Sequence, residues 1–101
     1  MTVRLIQVED SFVSDKGVVA GGVFLVDVPD SREAIVELVP SKVLLVFPEG
    51  GSIEAKVDGV EALKGSWAPT WNVHILFGGL ERVPLPRGTI IEVENEGVEL
   101  K

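Results

Sequence analysis

The sequence predicts an all-β domain, a small closed antiparallel β-barrel with at most one short helix. Three observations carry this reading. Apolar residues, valine above all, fall into short runs, several of them alternating with the period of two that marks a half-buried strand. Turn signals punctuate these runs at short intervals. Glycines stand where a barrel wall would bend, at Gly21-Gly22, Gly50-Gly51, Gly78-Gly79 and Gly88. Closure is preferred over an open sheet because it removes aggregation-prone edges. A chain of 101 residues is one domain (1–101) by size, and it buries roughly 65% of its unfolded surface.

Residues 3–8 form a first strand. Residues 18–28 form a longer second one, and the pair Gly21-Gly22 near its start marks a bulge, a bend or a close approach of two backbones. Pro29-Asp30-Ser31 ends that run. The next segment, 32–39, fits two structures. Asp30 or Ser31 can cap a helix with Glu33 in its first turn, whereas Ile35, Val36 and Val39 in eight residues suit a strand, which is the reading preferred here. Residues 42–47 (KVLLVF) are a continuous apolar run followed by the hairpin-length loop PEGGS. Ile53, Ala55 and Val57 alternate with Glu54, Lys56 and Asp58. Residues 72–77 and 89–94 are further strands. The turn NEG then leads to Val98 and Leu100, which alternate with Glu99.

Composition excludes several functions. The chain has no cysteine, so it forms neither a disulfide framework nor a thiolate metal site, and a single histidine rules out multi-His metal motifs. A net charge of −7 repels phosphate backbones and anionic membranes. The first ten residues lack the apolar core of a secretory signal, and no run approaches the ~18 apolar residues of a membrane span. A soluble cytoplasmic protein is therefore expected. One Gln, two Asn and one Met suit a thermophilic source. The glycine-containing stretches lack the spacing and the Lys-Ser/Thr of a phosphate loop, and no cofactor is expected.

Few side chains suggest chemistry. His74 shares a strand face with Asn72 and Leu76, where it is either a general base or an imidazole on the barrel wall. The acid pairs Glu9-Asp10, Glu92-Glu94 and Glu96-Glu99 invite comparison with the two-carboxylate sites of glycoside hydrolysis, but the C-terminal acids alternate with apolar residues as a solvated face does. Trp67 and Trp71 bracket APT, and form either an aromatic clamp or a plug at the barrel end.

The order of the punctuation resembles a known family. VEDSF (8–12), KGVVAGGV (16–23), KVLLV (42–46), VDGVEAL (57–63), Asn72-Val73 with the apolar run to Gly78, and Arg87-Gly88 before Thr89-Ile90-Ile91 are together similar to the second, β-barrel domain of translational GTPases such as elongation factor Tu. The segments cover most of residues 8–93. No GTP-binding domain accompanies them, so neither binding nor hydrolysis of GTP is expected. Pro40-Ser41 replaces the family's Gly-Asp turn, about seven extra residues lie around 27–38, the glycine segment near Gly17 is one residue shorter, and Pro69 stands where a glycine is usual. In elongation factor Tu this barrel holds the aminoacylated 3′ end of tRNA. The resemblance carries that pocket onto Glu9, Asp10, Phe12, Glu61 and Asn72. Each of these also has a structural role open to it at a barrel end.

Three functions follow, in order of preference. The first is a stand-alone, non-enzymatic module that binds another protein. The second is a module for the tRNA 3′ end or for ribosomal RNA. The third is an enzyme or enzyme subunit using an acid pair such as Glu9 with Glu61. Self-association is expected, if anywhere, at the segment 27–39.

Overall fold

The computed structural model describes residues 2–64, 71–80 and 84–94. The expected turn at 95–97, Val98, Leu100, Glu96 and Glu99, together with Trp67 and Pro69, lie outside the described residues. Seven strands and one helix follow one another as β1 (Thr2–Ser14), β2 (Gly17–Phe24), α1 (Arg32–Glu37), β3 (Lys42–Val46), β4 (Ser52–Lys56), β5 (Gly59–Lys64), β6 (Trp71–Phe77) and β7 (Ile90–Glu94). They make one antiparallel sheet in the order β4-β3-β7-β1-β2-β6-β5.

The sheet curls around a single core. Ile6 and Val8 of β1, Ala20 of β2, Leu45 of β3, Ala55 of β4, Val73, Ile75 and Phe77 of β6 and Ile91 of β7 all point into it. Their alternation along each strand is the period of two read from the sequence. Among the described residues the expected closure is not seen: no ladder joins β4 to β5, and these are the two edges of the sheet. The edges nevertheless meet at one corner. Only Val57 and Asp58 separate β4 from β5, a step of at most about 11 Å. Val57 N donates to Ser41 O beside β3, and Asp58 N donates to Leu76 O in β6, both at 2.8 Å.

The segment at 32–39 is a helix, not the strand preferred from its apolar content. Ser31 takes an extended backbone (φ −150°), and its hydroxyl accepts from Ala34 N at 3.4 Å. Glu33 sits in the first turn, favourable at a helix N-terminus. Leu38 N and Val39 N close the last turn onto Ile35 O and Val36 O, and Pro40 prevents continuation. The helix is held by Ile35, which is fully buried, and it packs against β5.

β1 is longer than residues 3–8 because it continues through the polar stretch Glu9-Asp10-Ser11. That stretch looks like a strand end only because a bulge interrupts its alternation. Opposite Gly22 and Gly21 the register jumps from Val8 to Asp10, so Glu9 is the extra residue. A second irregularity at Leu5 lies against β7. The pair Gly21-Gly22 is therefore inside a strand, not at a corner. β2 ends at Phe24 rather than Val28, because its pairing with β6 stops at Val23–Asn72 and β1 turns away to β7. Beyond β6, Gly78-Gly79 turn the chain as expected, and Asp58 Oδ2 accepts from Gly78 N at 2.7 Å.

Candidate functional site

The strands β1, β2, β6 and β5 present one outward face, and the register defines its rows. Asp10, Gly21, His74 and Glu61 are consecutive cross-strand neighbours. Phe12, Val19, Leu76 and Gly59 form the adjacent row. Val23, Asn72 and Leu63 form a third. One row is charged, one is apolar, and they lie side by side.

The bulge explains why two acids reach this face together. In a regular strand consecutive side chains point to opposite faces, so Glu9 and Asp10 would diverge. The extra residue re-aims one of them, and both line a single shallow hollow of about 240 Å³ with Gly21, Gly22, Val23, Asn72 and His74. The floor of this hollow is a glycine pair, so backbone takes the place of side chains there. A second hollow of about 400 Å³ adjoins it, lined by Phe12, Val19, Val60, Glu61 and Leu76. His74 is a wall of both.

All five residues named from the family resemblance thus lie on this face. Glu9, Asp10 and Asn72 belong to the first hollow, and Phe12 and Glu61 to the second. Residues that reasoning from the sequence did not place in the site complete it. Gly21 makes the floor and His74 the partition. Arg87 Nε lies 3.5 Å from Glu9 Oε2 at the rim. Alternation from Asn72 was the signal for His74, and the glycine pair opposite Glu9-Asp10 was the signal for Gly21.

Phe12 is 52% exposed, a large ring kept in water by a strand whose inner face already has its core residues. His74 Nδ1 stands 3.9 Å from Glu61 Oε1, and both side chains are well exposed. Glu9 and Glu61 line different hollows and turn toward different neighbours, Arg87 and His74. Glu92 and Glu94 are on β7, away from this face. Among the described residues no group of three or more His, Cys, Asp or Glu is arranged to hold a metal ion, and no helix is long and apolar enough to cross a membrane.

A separate concavity of about 550 Å³ lies at the far end of β5 and β6, lined by residues that include Phe24, Val26, Asp30, Lys64 and Trp71. Asp30 Oδ1 accepts from Lys64 Nζ at 2.7 Å and from Trp71 Nε1 at 3.1 Å, and these two donors hold its carboxyl below the usual carboxylate range. Lys64 Nζ also lies 5.5 Å from the centre of the Trp71 ring. The indole nitrogen is thus already engaged in fixing the segment after β2. No protein-family model matches the chain, and no curated protein or solved structure matches it with significance.

Proposed function

We propose that the chain is a non-enzymatic binding module, a β-domain of the elongation factor Tu second-domain type, whose β1-β2-β6-β5 face docks a segment of another protein. One observation carries this reading: an apolar row that begins at exposed Phe12 lies directly beside a row with a carboxylate at each end, Asp10 and Glu61, over two shallow adjoining hollows. A polypeptide with an apolar side chain next to Lys or Arg is complementary to both rows at once. The net charge of −7 works against phosphate-rich partners. The test is affinity capture from an extract of the source cells with wild type, Phe12→Ser, Glu61→Lys and the remote surface variant Glu49→Lys. A specific protein should be retained by wild type and Glu49→Lys and lost with the other two. If no captured protein depends on Phe12, the reading fails.

A second reading rests on the gathering of Glu9, Asp10, Phe12, Glu61 and Asn72 from three distant segments onto one face. It assigns the face to the 3′ end of tRNA, and it predicts binding that depends on the CCA end and has a shallow salt slope. Absence of any tRNA shift at micromolar protein removes it. A carboxylate-pair enzyme is the least supported reading, because Glu9 and Glu61 do not share a hollow.

A further inference from the structure

We propose that β4 is a self-association edge, and that two copies of this chain pair through it, antiparallel, about a two-fold axis at Ala55. The segment 27–39, where self-association was expected, is ruled out as a strand edge because its regular part is the helix packed on β5. β4 is the other end of the sheet, and Ser52, Ile53, Glu54 and Lys56 are all exposed along it.

The flanking hydrogen bonds fix which backbone groups of β4 are available. Phe47 N donates to Gly51 O at 3.0 Å, and Val57 N donates to Ser41 O at 2.8 Å. Between these points an antiparallel ladder alternates, so Ile53 and Ala55 turn their N–H and C=O toward β3. Ser52, Glu54 and Lys56 turn theirs outward.

The side chains select the occupant. Lys56 is directly opposite Lys42 on β3, and like charges so placed repel. Lys42 is relieved by Glu54, whose Oε1 is 3.6 Å away, but Lys56 has no ion pair among the described residues. A second copy related by a two-fold axis at Ala55 supplies the missing partner. Glu54 then faces Lys56 of the second copy, and Lys56 faces its Glu54. These are the residues with outward backbone groups, so each of the two pairs exchanges both N–H···O bonds. Ile53, 41% exposed, meets Val57 of the second copy. An axis at Glu54 would set that carboxylate against itself, and one at Ile53 would leave Lys56 facing Gly50. The contact spans only residues 53–57 on each side, which makes the dimer a weak one.

Sedimentation of the full chain at low ionic strength, from about 10 µM to about 1 mM, tests this in the range expected of so small an interface. The wild type should pass from monomer toward dimer across that range. Glu54→Lys and Lys56→Glu each replace two attractive contacts by two repulsive ones, and each alone should weaken association at least tenfold. An equimolar mixture of the two variants restores opposite charges at both contacts and should associate as the wild type does. Both positions are exposed, and circular dichroism verifies that the variants fold. A wild type that stays monomeric to 1 mM overturns the proposal. So does a mixture no more associated than its separate components.

Discussion

The His74 imidazole occupies the space that a side chain at Gly21 would need. A Cβ built on Gly21 stands 3.0 Å from His74 Cδ2 and 3.3 Å from Nε2. The neighbouring glycine faces the other way, where a Cβ would collide with the Gln7 carbonyl and come within 2.9 Å of Ile6 Cγ2. Two adjacent glycines therefore serve different needs, one making room for the His74 ring and one for the close approach of β1. Gly21→Ala should displace a movable ring and change stability by less than about 1 kcal/mol, since alanine also relieves the entropy cost of a strand glycine. Its signature is a shifted His74 ring resonance. Gly22→Ala meets backbone and should cost about 2 kcal/mol or more in urea unfolding. Equal effects of the two substitutions would show that this asymmetry is not real.

Ile35 anchors the only helix among the described residues, and it is fully buried beneath a segment of six residues. Such a helix has little stability of its own. Ile35→Ala should cost about 2–4 kcal/mol by cavity formation. Ser31→Ala, which removes only the cap, should cost about 1 kcal/mol. Denaturant midpoints at unchanged slope measure both.

Thr89 is the one fully buried polar residue among the described residues, and its hydroxyl donates to Pro86 O at 2.7 Å. The same carbonyl accepts from Thr89 N at 3.1 Å, and Thr89 O accepts from Val8 N at 2.8 Å. Thr89→Val keeps the shape and the backbone bonds while losing one hydrogen bond, a loss of about 1 kcal/mol. Thr89→Ala adds a void and should be the worse of the two in thermal unfolding.

Asp30 makes stability depend on acid. Its carboxyl is held below its ordinary value of 3.8 first by the Lys64 hydrogen bond, then by Trp71, then by the Lys64 charge. A carboxyl with a depressed folded-state pKa stabilises the fold above its unfolded pKa, and that contribution is lost as pH falls through the folded one. The indole reports the event directly. In a Trp67→Phe background, Trp71 fluorescence should change below about pH 4, a range in which unperturbed carboxyls are already mostly protonated. Asp30→Asn should abolish that step. Persistence of the step in Asp30→Asn would assign it to another group.

The sequence reading succeeded for the short apolar or alternating runs. Residues 42–46, 53–56 and 72–77 lie in strands whose alternate positions, Val43 and Leu45, Ala55, and Val73, Ile75 and Phe77, enter a single core. It fell short where two physical preferences compete. Ile35, Val36 and Val39 favour a strand by type, but the Ser31 cap and the space beside β5 favour a helix. Glu9, Asp10 and Ser11 ended the first strand on paper because a bulge breaks the period of two without breaking the strand. Closure was not legible, because whether β4 pairs with β5 depends on the curl of the whole sheet. For the site, position along the chain named residues that share a face, but only the register shows which of them share a hollow.

β7 lies between β3 and β1, yet it is the last described strand to leave the ribosome. β1-β2-β6-β5 and β3-β4 can each pair from earlier segments, but until residues 90–94 emerge they remain two half-sheets, each with an unpaired inner edge. Joining of the two half-sheets therefore waits for residues 90–94, and the nascent chain holds Leu45 and Ile6 without their Ile91 neighbour until those residues emerge. A message truncated before Ile90 would release a product with two exposed strand edges, a template for aggregation rather than a smaller working domain.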